Sequence, residues 1–166
     1  VVINITSNDA PQATSKVDTS NYSLTMNFNT MMGKNSIDQE NNIDFGGGSE
    51  VSANGNIKIE TAQRTLAHAS TYMNGGSVVE GSAAKAENNI ARVARVNVGE
   101  GASIHTDAAG NTLTVLASSG MGDNIYTEAT VSSGGLVALG DAKAYANVKT
   151  YTEVLIDKLA KIESQG

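Results

Sequence analysis

Of the side chains that commonly carry proton-transfer or metal chemistry, the chain has two histidines, His68 and His105, and no cysteine. Without a thiol, disulfides, thiolate metal sites and cysteine nucleophiles are excluded. A catalytic histidine would need a nucleophile and an acid arranged around it. His68 lies between Ala67 and Ala69 with no paired carboxylate nearby, and His105 alternates with Ile104, which points it to the solvent side of a strand. Asp38, Glu40, Asp44, Glu50, Glu60, Glu80, Glu87 and Glu100 are dispersed along the chain. Folding could bring Glu50 and Glu100 together, but turn and surface solvation is the favoured reading for all eight.

Other motifs lead the same way. Gly120-Met121-Gly122-Asp123-Asn124-Ile125-Tyr126 has a superficial likeness to a nonapeptide calcium repeat. It is a single irregular copy, whereas such sites need tandem turns to complete an oxygen cage, so a plain turn is favoured. Gly46-Gly47-Gly48 has no Gly-Lys-Ser/Thr after it and opens no helix, so it is not a phosphate loop. Arg92 and Arg95 are too few for a polyanion patch, and Met26, Met31 and Met32 read as core filler. Exposed Thr and Asn, with Tyr22, Tyr72, Tyr126, Tyr145 and Tyr151 available for stacking, could bind a glycan or another chain, but ordinary solvent-facing strand residues are the favoured reading. The expectation is a non-enzymatic chain with no catalytic, cofactor-binding or metal-binding residue.

The composition specifies what must hold these residues. The 166-residue chain carries 17 acidic and 11 basic residues, a formal charge of -6, which argues against nucleic acid and anionic membrane surfaces. No apolar run reaches the roughly 18 residues of a membrane span, and residues 1–20 lack a basic-then-apolar signal peptide; the chain reads as a piece of a longer protein. Only 4% of residues are aromatic, with no Trp, one Pro and 17 Gly. Small and β-branched residues punctuated by Gly and Asn suit many short strands joined by tight turns.

Self-comparison is the strongest signal. Gly48-Ser49-Glu50-Val51-Ser52-Ala53, followed by Gly55-Asn56-Ile57-Lys58-Ile59, matches Gly101-Ala102-Ser103-Ile104-His105-Thr106, followed by Gly110-Asn111-Thr112-Leu113-Thr114-Val115. Gly75-Gly76-Ser77-Val78-Val79 parallels Gly134-Gly135-Leu136-Val137-Ala138, each leading into an Ala-Lys-Ala segment, with Gly76 aligned to Gly135. Ile162 takes the place of Ile104. About three units of roughly 55 to 59 residues emerge, approximately 1–61, 62–120 and 121–166 of a single segment. Period-two alternation predicts strands at 23–30, 56–61, 90–98, 111–117, 125–131 and 135–139. Residues 83–93 have helical spacing, but the repeat maps them onto strand-turn-strand. Residues 148–162 carry a helical stripe of Val148, Tyr151, Leu155, Leu159 and Ile162, leaving a helix or capping element as the alternative there. One unit cannot bury its own apolar face, so copies must stack, each strand pairing in parallel with its equivalent. At about 19 to 28 residues per coil, the chain would make roughly six to eight coils.

The stretch Ser132 to Ala144, together with Val96 to Thr106 and Gly110-Asn111, resembles repeats of the filamentous-haemagglutinin-like adhesins and related leukotoxins, large bacterial exoproteins exported by two-partner secretion. The resemblance covers about residues 46 to 162, and 20 to 45 more loosely. Asp157-Lys158-Leu159 departs from it where a Gly-x-Gly is expected. It implies an all-β, right-handed parallel β-helix (a solenoid) in the rod-like stem of a secreted, surface-located virulence protein. Implied partners are neighbouring repeats of the same chain and a host-cell receptor or glycan. The family contributes no catalytic residue. A polysaccharide-processing β-helix enzyme and a calcium-stabilised repeat module are the alternatives.

Overall fold

A computed structural model describes residues 2–165. The chain makes three passes through the same four strand positions. The first pass is β1 (Ile3–Asp9), β2 (Gln12–Tyr22), β3 (Met26–Phe45) and β4 (Glu50–Ala53). The second is β5 (Ile57–Gln63), β6 (Leu66–Gly76), β7 (Val79–Val98) and β8 (Ser103–Thr106), and the third is β9 (Leu113–Ser119), β10 (Asn124–Gly134), β11 (Val137–Ile156) and β12 (Lys161–Ser164). Equivalent strands join in four three-stranded parallel sheets, ordered β1-β5-β9, β2-β6-β10, β3-β7-β11 and β4-β8-β12. The protein is all-β, and no helix occurs among the described residues.

The register confirms the long repeat and corrects the short coil. Val51 pairs with Ile104 and Ile104 with Ile162, so a residue meets its equivalent a whole repeat later. Each repeat is therefore one layer, and three layers replace the expected six to eight coils of 19 to 28 residues. The expectation failed at β3, β7 and β11, each an unbroken strand of 20 residues. Residues 83–93 lie inside β7 with no turn, and residues 148–162 form the end of β11, a turn and β12 rather than a helix or irregular cap. Pairing along the whole of β7 overrides the helical spacing. Gly76 pairs with Gly134, not Gly135; a one-residue slip would have moved every side chain to the opposite face.

Alternation along β7 places Ala84, Ala86, Ile90, Ala94, Val96 and Val98 inside, and with them Glu80, Ser82, Asn88 and Arg92. A division of apolar inside and polar outside thus holds only in bands. An aliphatic band at the β4-β8-β12 end joins Ile57, Ile59, Val96, Val98 and Ile104, each contributing roughly 1.5 to 3 kcal/mol by burial. A smaller cluster of Ile37, Ala67 and Ile90 follows beyond a polar belt. Farther on, Asn35 donates through Nδ2 to Asn88 Oδ1 at 2.9 Å and to the carbonyls of Ala13 and His68. The interior then narrows: a Cβ on Gly33 would approach Thr71 Oγ1 to 3.0 Å and the Ser70 carbonyl to 3.2 Å. Large rings have no room there.

Leu24, Met26 and Phe28 do alternate, but they point outward, with Leu24 93% exposed. Met26 and Met32 are exposed too, so the methionines are not core filler as a group. A period of two tells which residues share a face; pairing with β7 decides which face is inside, and there Asn27 and Asn29 stand in register with Glu80 and Ser82.

The turn between long and short strands has one shape in all three layers. Ser49, Ala102 and Ala160 each donate a backbone N–H to the carbonyl three residues earlier, at 3.1, 3.0 and 3.2 Å. The left-handed residue is Gly48 (φ 72°), Gly101 (φ 71°) and Leu159 (φ 59°). The departure at Asp157-Lys158-Leu159 therefore keeps its turn and carries backbone strain, since a non-glycine residue in this region costs about 1 to 2 kcal/mol. Leu159→Gly is expected to raise unfolding stability by about 1 kcal/mol, and Gly101→Ala to lower it by a similar amount. Urea titrations of the two variants check both signs.

Candidate functional site

The polar belt comes from one inner row, Gln39, Arg92 and Thr150, on the three long strands. Arg92 is 5% exposed and donates through Nη1 to Asp123 Oδ2 at 2.6 Å and through Nη2 to Thr150 Oγ1 at 3.0 Å. Asp123 Oδ1 accepts the Thr65 backbone N–H at 2.8 Å. Both carboxylate oxygens of the Gly120–Tyr126 turn are thereby occupied from within the chain. Arg92, counted in the sequence as too sparse for a surface patch, is an internal brace. Arg95 is on the outer face, bonded to Glu153 at 3.1 Å.

The dispersed acids separate by face. Asp38, Glu40 and Asp44 line the outer row of β3. Glu60 and Glu87 pair with the lysines two residues before them, at 2.5 and 2.7 Å, and Lys85 and Asn89 hold Glu87 below the usual carboxylate range. Glu50 pairs in register with Ser103, not with Glu100, which lies in the turn after β7. Glu80 is the exception. It is 1% exposed, accepts from Ser82 Oγ at 3.0 Å, and its Oε2 has no hydrogen-bond partner. Nothing in its local sequence marks it as internal; the register does. Among the described residues, no three His, Asp or Glu side chains are grouped to hold a metal.

His105 lies on the outer face, as its alternation with Ile104 requires, in a row with Ser103 and Asp107. Ser103 Oγ is 3.3 Å from His105 Nδ1, and His105 Nε2 is 3.0 Å from Asp107 Oδ1 and 4.0 Å from Glu50 Oε1. The composition of a nucleophile relay is present without its setting. The Ser103 and Asp107 backbone N–H groups are bonded to Ser49 and Ala53 carbonyls at 2.8 Å, leaving neither to stabilise an oxyanion.

A concave surface lies on the outer face of β2-β6-β10, where Thr14-His68-Tyr126, Lys16-Ser70-Glu128 and Asp18-Tyr72-Thr130 form three ladder rows. Tyr126 meets His68 edge to face, with ring centroids 4.8 Å apart and planes at 84°. Ser70 is short, so the middle row dips between Lys16 and Glu128, and a groove of about 640 Å³ opens over it, continuing toward Tyr72. Tyr126 Oη donates to Glu128 Oε2 at 2.6 Å, which favours the neutral phenol and holds it above the ordinary tyrosine range. Lys16 is likewise raised by its partner Asp18 at 2.8 Å. The groove therefore presents aromatic edges, a cation and two carboxylates within one patch. Tyr145 and Tyr151 lie elsewhere, on β11, beneath Lys85 and Arg95 at 5.3 and 6.0 Å. Tyr22 is at the end of β2 and 71% exposed. The sequence supplied the tyrosines but not their grouping, which arises from residues 58 apart.

No family model, curated protein or solved structure matches the chain.

Two outcomes check this description. Arg92→Leu is expected to destabilise the protein by about 3 kcal/mol by stranding the Asp123 carboxylate, with much of the loss recovered in Arg92→Leu/Asp123→Asn; urea unfolding reads both. Spectroscopic titration of the tyrosines should show Glu128→Gln moving one phenol downward toward its ordinary range, because the acceptor that stabilised the protonated ring has lost its charge.

Proposed function

We propose that the chain is a segment of a right-handed parallel β-helix in the stem of a secreted bacterial surface adhesin or leukotoxin, presenting or contributing to host-cell contact without catalysis. The observation that carries this reading is the in-register superposition of three passes, each strand lying on its equivalent one repeat away. Such a unit extends by adding a layer with no change in geometry, which is what a stem requires. Each long strand spans roughly 66 Å at about 3.3 Å per residue, whereas neighbouring strands are about 4.8 Å apart. Three layers alone are therefore broader than they are tall, and a rod arises only as layers accumulate.

The groove over Ser70 is the surface we assign to contact. Tyrosine faces and edges suit the C–H faces of sugar rings, and Lys16, Asp18 and Glu128 suit their hydroxyls. Against a polysaccharide-processing enzyme stands the pairing of Asp18, Glu60, Glu87, Asp141 and Glu153 with a lysine or arginine, and of Glu40 and Asp44 with asparagine amides. Against a calcium-stabilised module stands the full use of both Asp123 oxygens.

Appending one further repeat of 58 residues should add ~5 Å to one dimension while leaving the cross-section unchanged, measured by small-angle scattering. Growth in all three dimensions would contradict the layered stem. Beads coated with the chain are expected to adhere to cultured mammalian cells, and Tyr72→Ala/Tyr126→Ala to reduce adhesion severalfold with its far-UV spectrum unchanged. Absent adhesion would leave a spacer.

A further inference from the structure

Among the described residues, Glu80 is the one buried carboxylate. Alternation along β7 turns it inward, and its ladder neighbours are Asn27 on one side and Ala138 on the other. It belongs to the second layer and is covered from both sides, so its burial owes nothing to the ends of the stack. The opposite wall makes room for it at Gly75, where a Cβ would collide with Glu80 Oε1 and come within 3.0 Å of the Asn21 carbonyl oxygen. Oε1 accepts from the Ser82 hydroxyl at 3.0 Å, and Oε2 has no partner. No lysine, arginine or histidine among the described residues is paired with it. The amide in register with it is already committed: Asn27 donates through Nδ2 to the Asn21 carbonyl at 3.3 Å and accepts from Asn29 Nδ2 at 2.5 Å. Turning that amide to Glu80 would break both bonds. A buried carboxylate with a single hydroxyl for company is costly unless a positive charge joins it.

We propose that Glu80 binds an alkali cation, sodium or potassium, inside the protein beside the turn from β6 to β7. Donor chemistry and charge identify the class. The groups around the carboxylate offer oxygen: the Asn21 carbonyl, the Asn27 and Asn29 amides and the Ser82 hydroxyl. Such a set suits hard cations rather than metals that favour thiolate or imidazole. Glu80 carries the only formal charge among these groups. One monovalent ion makes the site neutral, whereas calcium would leave a net positive charge at a position 1% exposed. The ion fastens the second layer to the first at the end of the interior farthest from the aliphatic band, and so makes the stability of the stack depend on it.

Thermal unfolding of the 166-residue chain in sodium chloride against choline chloride, at one pH and one ionic strength, tests this. Choline is too large to enter, so the midpoint is expected to rise with sodium, by roughly 3 to 5 °C for each tenfold increase above half-saturation. Glu80→Gln keeps the shape and removes the charge, and it should unfold at the same temperature in both salts. The sodium NMR line should broaden with the parent chain, narrow again on adding potassium, and stay narrow with Glu80→Gln. Asn27→Ala should weaken sodium binding severalfold with the carboxylate still in place. Equal midpoints for the parent in the two salts overturn the proposal and leave the stem reading standing. A sodium effect that survives in Glu80→Gln also overturns it and places the ion on the outer acids. Calcium displacing sodium at equal concentration overturns the monovalent assignment. Should Glu80→Gln fail to fold, the parent's midpoints and sodium line still decide.

Discussion

The parallel ladder through the second layer is the constraint from which the rest follows. Every strand of that layer is hydrogen-bonded on both sides in register, so a residue in one pass is stacked, at about 4.8 Å, on residues fixed for it in the passes on either side. A side chain is then selected against its vertical neighbours as much as against the opposite wall. Ile5, Ile59 and Val115 form such a row, as do Val51, Ile104 and Ile162. Asn35 on Asn88 satisfies the rule with a hydrogen bond instead of apolar contact, and Asn88 continues to the Tyr126 carbonyl and Thr127 hydroxyl.

The width of a layer explains why the interior is not apolar throughout. A 20-residue wall has ten inward positions, and filling all of them with large aliphatics would require an evenly spaced opposite wall. The opposite wall is instead made of two strands broken near Pro11, Thr65 and Gly120 to Asp123. At that break the Thr65 backbone N–H takes the Asp123 carboxylate as its partner in place of a ladder carbonyl. Arg92 holds that carboxylate and reaches the hydroxyls of Thr65 and Thr150 from one position. The belt is thus a consequence of the kink, and the aliphatic band and the Ile37–Ala67–Ile90 cluster lie where the walls run unbroken.

Much of this was legible in the residues, and the part that was not has a physical cause. The long repeat, the strand class and the stacking of equivalents follow from Gly48 to Ile59 against Gly101 to Val115, because turns that recur in space recur in sequence. The layer count does not follow, since nothing local distinguishes a long strand from two short ones when the residues between, such as Ala84 to Ala86, are small. Hydrophobicity does not mark the inner face at Met26 and Phe28, because the inward positions there are Asn27 and Asn29. At the candidate site the five tyrosines were visible, but the pairing of Tyr126 with His68 and the gap over Ser70 join residues whose only relation is one repeat of separation. Glu80 and Arg92 look like surface charges in any local window, and only the register turns them inward.

The same rule separates structure from function in this chain. Inward rows are bound by vertical neighbours, by the opposite wall and by the shortage of space at Gly33, so a change there is felt through three layers. Outward rows meet only their vertical neighbours and water. They can carry Tyr126 beside Glu128, or Lys85 over the Tyr145 ring, with no demand on the core. Recognition chemistry on such a scaffold therefore belongs on the outer rows, and a concavity there comes from a short residue flanked above and below by longer ones. Ser70 between Lys16 and Glu128 meets that condition, with the rings of His68 and Tyr72 on either side along the strand.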